Sequence, residues 1–377
     1  MSEVRIEKVT TRRDLKRFIR FPWKVYPGDP NWVPPLLAEM KAKLDRAKNP
    51  FFEHSEMDLF LARRGEEITG RVAAIVDENH NRVHGEKVVF FGLYESLNDP
   101  ETARALCDAV AAWGAAKGME VLRGPMSLNM NDECAFLVEG FDSPPAIMMP
   151  YNPKYYLDLM EACGMAKAKD LFAFRMSRDH AVAAKVAAIV ERSQKEFPFT
   201  LRLADMKHLE REAEAVALVY NSGWEKNWGF VPWTVNEMTH MAKQLKQMAD
   251  PELVIFAERE GKPAGFALGL PNYNEILRGL NGRLFPFGFF KLLLNRSKIK
   301  GMRAAVFGLM PEYRHTGLSY LLYSELEKRG VRRGYEWGEL SWQLEDNEAI
   351  NRFAASIGAR LYKRYRIYER RISPAPM

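Results

Sequence analysis

A chain of 377 residues exceeds what one hydrophobic core usually serves, so two domains are expected. With 47% apolar and 28% charged residues the composition is that of a soluble globular protein, which excludes wholesale disorder. The formal charge of +6 arises from Lys and Arg mostly interspersed with Asp and Glu, the pattern of a solvated surface, so nucleic acid is not an expected partner.

No window approaches the roughly 20 uninterrupted apolar residues of a membrane-spanning helix, and residues 1–8 are polar rather than signal-like. Cys107, Cys134 and Cys163 are odd in number and lack CxxC spacing, which argues against a disulfide framework and a zinc site. A cytoplasmic protein without a metal is the expectation.

Along the chain, the first half repeats in the second. Trp32-Val33-Pro34 with Glu39-Met40 recurs as Phe230-Val231-Pro232 with Glu237-Met238. Residues 60–70 (FLARRGEEITG) and 256–265 (FAEREGKPAG) each read as strand, polar turn and strand, hence as hairpins. Phe91-Gly92-Leu93, Gly118 and Asn131 match Phe307-Gly308-Leu309, Gly334 and Asn347 at one constant offset of 216. Gly164 and Gly358 each precede an aromatic-rich closing strand, 171–176 and 365–370. The pattern implies a tandem duplication joined near 177–184.

Each half reads strand, helix, helix, hairpin, strand, helix, strand, helix, strand. In the second half the strands fall near 200–204, 253–258, 263–270, 303–309 and 338–344, and helices near 206–220, 234–248, 317–333 and 348–357. This order predicts an α/β (α+β) fold, each domain a mixed sheet flanked by helices.

The chemistry is concentrated where strand 303–309 gives way to a helix. Pro311 ends the strand, while Gly317 and Ser319 let anionic oxygens approach the backbone. Successive amide N–H groups at a helix start, with the positive end of its dipole, bind a polyanion without many cations. The equivalent stretch of the first half, 95–101, carries Glu95, Asp99 and Glu101 and no glycine, which predicts no such site there.

The run 309–319 resembles the V-x-P-x-x-R-x-x-G-x-G/A signature of the GNAT superfamily of CoA-dependent N-acyltransferases, with Ser319 in place of the last small residue. The resemblance extends to Asn347, Ala349, Ile350 and Gly358 and covers roughly 201–368. It implies two GNAT-like domains with mostly antiparallel sheets: 1–178, degenerate and lacking the pyrophosphate loop, and 179–377, which binds acyl-CoA, either acetyl-CoA or a longer chain, as co-substrate. Arg314, His315, Thr316, Gly317, Leu318 and Ser319 then hold the pyrophosphate, Leu309 and Met310 pair with the pantetheine arm, and Asn347 touches the arm or caps the next helix.

Acyl transfer to an amine requires deprotonation of the amine, stabilisation of the oxyanion and protonation of the leaving thiolate. Glu339, on the strand beside the cradle, and Glu345, at that strand's end, are candidate bases. The tyrosine that many GNAT proteins carry seven residues after the asparagine is replaced by Ala354. Tyr362, Tyr365 and Tyr368 are substitutes, with Tyr365 and Tyr368 the chosen candidates. His208, His240 and His315 form no metal or triad spacing.

Residues 224–232 (WEKNWGFVP) join two helices where GNAT proteins shape the acceptor pocket; aromatic packing between the helices is the alternative. The segment 272–302 has no counterpart in the first half. It joins LFPFGFFKLLL (284–294) to Arg296, Lys298 and Lys300, and no acid occurs over 281–302. Such a composition suits peripheral contact with a membrane face, or else a cap on the acyl channel or packing between the domains. The whole chain resembles a group of tandem-GNAT bacterial proteins by PWKVYPGDPNWVPPL, NPFFEH, NWGFVP, ELSWQLEDN and KRYRIYE, a group related to bacterial ceramide synthases. That implies an N-acyltransferase of lipid metabolism acting on a lipid amine such as a sphingoid base. A small soluble acceptor amine and an inactive lipid-binding scaffold remain the alternatives.

Overall fold

The computed structural model describes residues 3–177, 184–246 and 248–372. The expected junction of the halves, about 178–183, lies outside the described residues. The chain folds as two compact units. The first comprises the chain up to Leu171, a segment Leu277–Phe289, and the chain from Lys363 onward; the second comprises Phe172–Ile276 and Phe290–Tyr362. Most of the closing strand and residues 277–289 of the 272–302 insertion therefore belong to the first unit.

In the first unit, β1 (Val4–Lys8) precedes α1 (Arg12–Arg20), α2 (Pro22–Val25) and α3 (Leu37–Lys43). Thr11 starts α1 by accepting from the Asp14 amide. β2 (Ser55–Arg64) and β3 (Glu67–Asp77) form the expected hairpin, turning at Gly65 in the left-handed region. After α4 (Glu78–His84) come β4 (Val88–Ser96), α5 (Pro100–Ala115), β5 (Val121–Gly124), β6 (Phe136–Glu139), α6 (Tyr156–Ala162) and β7 (Ala166–Ser177). The strand order is β1-β2-β3-β4-β5-β13, with β13 (Arg360–Arg371) taking β6 as well. Only β4–β5 is parallel among the registered pairs. Phe91, Leu106, Phe136 and Tyr156 fill the core.

The second unit begins with residues of β7 and with α7 (Ala184–Glu196), a helix the repeat pattern did not predict. Then follow β8 (Thr200–Leu203), α8 (Leu209–Trp224), α9 (Val235–Leu245), β9 (Val254–Arg259), β10 (Lys262–Pro271), α10 (Asn274–Leu277), α11 (Gly288–Asn295), β11 (Gly301–Leu309), α12 (Leu318–Arg332), β12 (Trp337–Leu344) and α13 (Glu348–Ser356). A capping box between Thr234 and Glu237 fixes the start of α9. Gly358, with φ of +79°, follows the end of α13. The strand order is β7-β12-β11-β10-β9-β8, antiparallel in β8–β9, β9–β10 and β10–β11 and parallel in β11–β12. Both units are thus mixed, mostly antiparallel sheets with helices, as the sequence predicts.

The two parallel pairs differ in what lies beyond their last registered residues. β4 pairs with β5 only over Val88–Phe90, but the gap beyond is filled by the chain itself: the Met126 amide donates to the Phe91 carbonyl at 2.8 Å, and residues 126 and 134 bridge. A Cβ on Gly92 would come within 1.7 Å of the Met126 carbonyl oxygen, so only glycine fits against this plug. Nearby, burial raises the Glu95 carboxyl above its ordinary range, opposed by Arg71 and by the hydroxyls of Tyr156 and Tyr26. Asp99 caps α5 through the Glu101 amide, and Arg64 bridges both carboxylates at 2.8 and 2.7 Å. The helix start is satisfied by its own acids.

Gly92→Ala should therefore lower stability by about 2 kcal/mol, since backbone rather than a flexible side chain must move. A denaturant midpoint unchanged from wild type would show that the plug is not packed against β4.

Candidate active site

The second unit leaves open what the first fills. β11 pairs with β12 from Gly301↔Trp337 to Ala304↔Leu340 and no further, whereas its pairing with β10 continues to Leu309↔Gly265. The shift between Leu268 and Gly269 makes Ala305 an extra residue, a bulge at the level where the strands part. Beyond it lies a wedge between β11 and β12. The Met310 amide bonds to Ala264 on the β10 side at 2.9 Å. Strand alternation then turns the peptide groups of Leu309 and Phe307 into the wedge. Of the two residues expected at the pantetheine arm, Leu309 faces the wedge, and Met310 has its amide committed elsewhere.

The cradle follows at once. A single 3₁₀ turn, Pro311–Tyr313, carries the chain to Gly317, whose φ of +82° suits glycine and whose residue caps α12. Thr316 is held by its amide and hydroxyl, both donating to the Tyr313 carbonyl. Among the described residues, the amides of His315, Gly317, Leu318 and Ser319 reach no acceptor. These are the orphan donors of a helix start, where the dipole adds positive potential. Arg314 is exposed and donates to the Gly223 carbonyl in the last turn of α8 at 2.7 Å. On the inner side, α7 packs against the cradle, and a Cβ on Gly317 would lie 3.0 Å from the Ser193 Cβ.

The two faces of the wedge differ in chemistry. On the α8 face stand Arg303 of β11 and Glu339, Ser341 and Gln343 of β12, all buried. The Arg303 guanidinium donates to the Ser341 hydroxyl at 2.9 Å and to its carbonyl at 3.2 Å. Ser341 and Tyr362 each donate a hydroxyl to the Glu339 carboxylate, and Arg303 forms an ion pair with it at 4.0 Å. Arg175 lies 4.4 Å from the Trp337 ring centre and 5.9 Å from that of Tyr362. Trp224 covers Gly308 of β11, where an added Cβ would lie 3.0 Å from the indole ring. Trp224 also stacks on Tyr220 at 4.4 Å, with Phe230 at 5.7 Å from Tyr220, so the WEKNWGFVP segment joins packing and site wall. On the α12 face, Ala304, Phe307 and Leu340 meet an apolar surface of Leu318, Leu322 and Tyr323.

Other expected residues fall elsewhere. Asn347 caps α13, accepting from the Ile350 amide at 3.4 Å, the alternative to touching the pantetheine arm. Glu345 is half-buried just past β12, and its carbonyl accepts from the Asn351 side chain. Tyr365 and Tyr368 lie in the first unit, opposite Leu137 and Gly124, and Tyr368 belongs to the core around Phe136. Tyr362 is the tyrosine that joins Glu339. Ala354 is fully buried among Tyr323, Phe353 and Ile357, with no hydroxyl to offer. Sequence reasoning missed Arg303, Ser341 and α7; the period-two run Glu339, Ser341, Gln343 was the signal for a polar face.

Residues 220–359 match the family model of the acetyltransferase (GNAT) family. "Protein YghO" of Escherichia coli (strain K12) is 38% identical over 96% of this chain and 94% of its own length. The "Bacterial ceramide synthase" of Caulobacter vibrioides (strain NA1000 / CB15N) is 36% identical over 98% of each. Among solved structures, a tandem GNAT protein from the clavulanic acid biosynthesis pathway covers 99% of this chain and 100% of its own at 13% identity, with a TM-score of 0.59. A GCN5-related N-acetyltransferase from Sphaerobacter thermophilus covers 99% and 97% at 14% identity, with a TM-score of 0.53. These two likenesses establish the fold, and the full-length relatives establish the family. With its wedge, its uncapped helix start and relatives matching end to end, the chain belongs to the tandem GNAT acyltransferases and is an N-acyltransferase with acyl-CoA as co-substrate.

Proposed function

We propose that this protein transfers a fatty acyl group from acyl-CoA to the primary amine of a lipid, of the sphingoid-base class, at a membrane face. The unpaired amides of Gly317, Leu318 and Ser319 carry the reading for the coenzyme. The relative named as a ceramide synthase and the exposed apolar segment of the insertion support the lipid acceptor. In this reading the diphosphate rests on the start of α12 beside Arg314, His315 and Thr316, and the pantetheine arm adds to the free edge of β11. The first half of the chain, roughly 1–178, takes no coenzyme in this reading, because its wedge is plugged and its α5 start is capped by Asp99.

The amine nitrogen attacks the thioester carbonyl at the base of the wedge. Glu339 accepts the amine proton, while the main-chain donors of β11 face the developing oxyanion. As the C–S bond breaks, Tyr362 gives its proton to the thiolate and regains one from Glu339, to which it is hydrogen-bonded. Tyr362 thus fills the role that Ala354 cannot, and Glu345, Tyr365 and Tyr368 have no part in the step.

Membrane contact follows from α11 and the residues before it. Phe285, Phe287 and Leu294 are 79, 73 and 76% exposed, and six of the eleven large apolar side chains exposed among the described residues fall in 285–294. Lys291 lies among them and Arg296 and Lys298 follow, and a cation near anionic lipid contributes about 1 kcal/mol. No helix among the described residues is long and apolar enough to cross a membrane, so the contact is peripheral.

Ser319→Glu tests the cradle without harming the fold, since an acid in the first helical turn suits the dipole. We expect thermal stability to hold and acyl-CoA affinity to fall at least ~10-fold, about 1.4 kcal/mol, by titration calorimetry. Equal affinity would reject the site. For the chemistry, Glu339→Gln should cut kcat about 100-fold with acyl-CoA affinity intact, read as thiol release that depends on added amine. No amine-dependent release from the wild-type protein would favour the inactive-scaffold reading instead. In flotation assays the protein should bind anionic phospholipid vesicles, less so at high salt, and Phe287→Ser with Leu294→Ser should abolish binding. Equal recovery with neutral vesicles, or an unaffected double variant, would argue for a soluble acceptor.

A further inference from the structure

The α12 face of the wedge opens into a cavity whose lining reaches Glu339 beside its apolar walls. It holds about 590 Å³ of empty space, part of it open to solvent, between α12 and the starts of β11 and β12. Its walls are mainly apolar: Met176, Met302, Phe307, Leu326, Val331 and Leu340. Ala304 and Leu340, the last paired residues before the strands part, belong to the lining. The cavity therefore starts where the wedge ends. Lining residues Met302 to Phe307 span about 17 Å of strand at ~3.3 Å per residue, a length that suits an extended hydrocarbon chain.

Small residues keep the space clear. Gly338 of β12 lines the cavity, and a Cβ built on it would meet nothing within 4 Å. The polar groups present do not contradict an apolar occupant. Burial raises the Glu327 carboxyl above its ordinary range, opposed by the Tyr323 hydroxyl, and Glu336 pairs with Lys300 at 2.7 Å.

We infer that this cavity receives the acyl chain of the coenzyme, so that the tail enters on the α12 face while the amine attacks from the α8 face. The assignment rests on the acyl-transfer reading and adds to it where the acyl chain lies and what limits its length. It also names a specificity-determining residue, Gly338, whose lack of a side chain sets the room available. Each methylene buried adds about fourfold to affinity, so chain length is read directly in binding.

The test uses the full chain and two probes, acetyl-CoA and palmitoyl-CoA, in direct binding titrations and in amine-dependent thiol release. Wild type should bind palmitoyl-CoA at least ~10-fold more tightly than acetyl-CoA. Gly338→Leu should erase that difference while leaving acetyl-CoA affinity unchanged, and Gly338→Ala should have a smaller effect in the same direction. Equal affinities for the two probes in wild type, or a loss in Gly338→Leu that is the same for both, would overturn the assignment. Preferential palmitoyl-CoA binding without amine-dependent thiol release would instead count against acyl transfer and leave the cavity's occupant as inferred.

Discussion

The parting of β11 from β12 after Ala304 and Leu340 is the constraint on which the rest depends. A sheet normally satisfies both edges of an internal strand, and leaving peptide groups unpaired in a protein interior is costly. A bulge at Ala305 sits at the level of the separation, which leaves main-chain donors and acceptors of β11 aimed at a gap. The uncapped start of α12 lies at the mouth of that gap, and so the unpaired groups of strand and helix form one continuous polar track. The parting also exposes two chemically different faces, one with a buried carboxylate and its partners, the other apolar with a cavity.

The first half of the chain shows what happens when the same architecture is closed. Its parallel pair stops after three residue pairs, against four in the second half, yet Met126 returns to bond Phe91, and Gly92 has no Cβ because the returning backbone occupies that volume. Where α12 leaves its first amides unanswered, α5 answers its own with Asp99, and Pro100 removes one donor altogether. Two copies of one fold thus differ at the start of the helix that follows the splayed strand. The difference is made by backbone occupancy and capping rather than by net charge alone.

Much of this was legible in the sequence because it depends on local chemistry. Both hairpins, the cradle and the helix boundaries follow from turn residues and periodicity, and Gly317 and Gly358 mark chain reversals by their own backbone needs. The acids Glu95, Asp99 and Glu101 were legible at the start of α5, whereas the plug, Met126, carries no motif. What could not be read was set by long-range pairing. Tyr362 and Tyr365 are three residues apart in one strand, yet one faces Glu339 and the other lies opposite Leu137 of the other compact unit. No spacing rule separates them. The helix α7 was missed because the repeat offered no counterpart for it, and the pairing of Arg303 with Ser341 depends on register across a parallel pair.

The most direct measurement is a crystal structure with a non-hydrolysable acyl-CoA. The account predicts diphosphate oxygens at hydrogen-bond distance, about 2.7–3.2 Å, from the amides of Gly317, Leu318 and Ser319, with the pantetheine arm along the free edge of β11. A coenzyme bound elsewhere, with that bend empty or taken by another stretch of the chain, would contradict it.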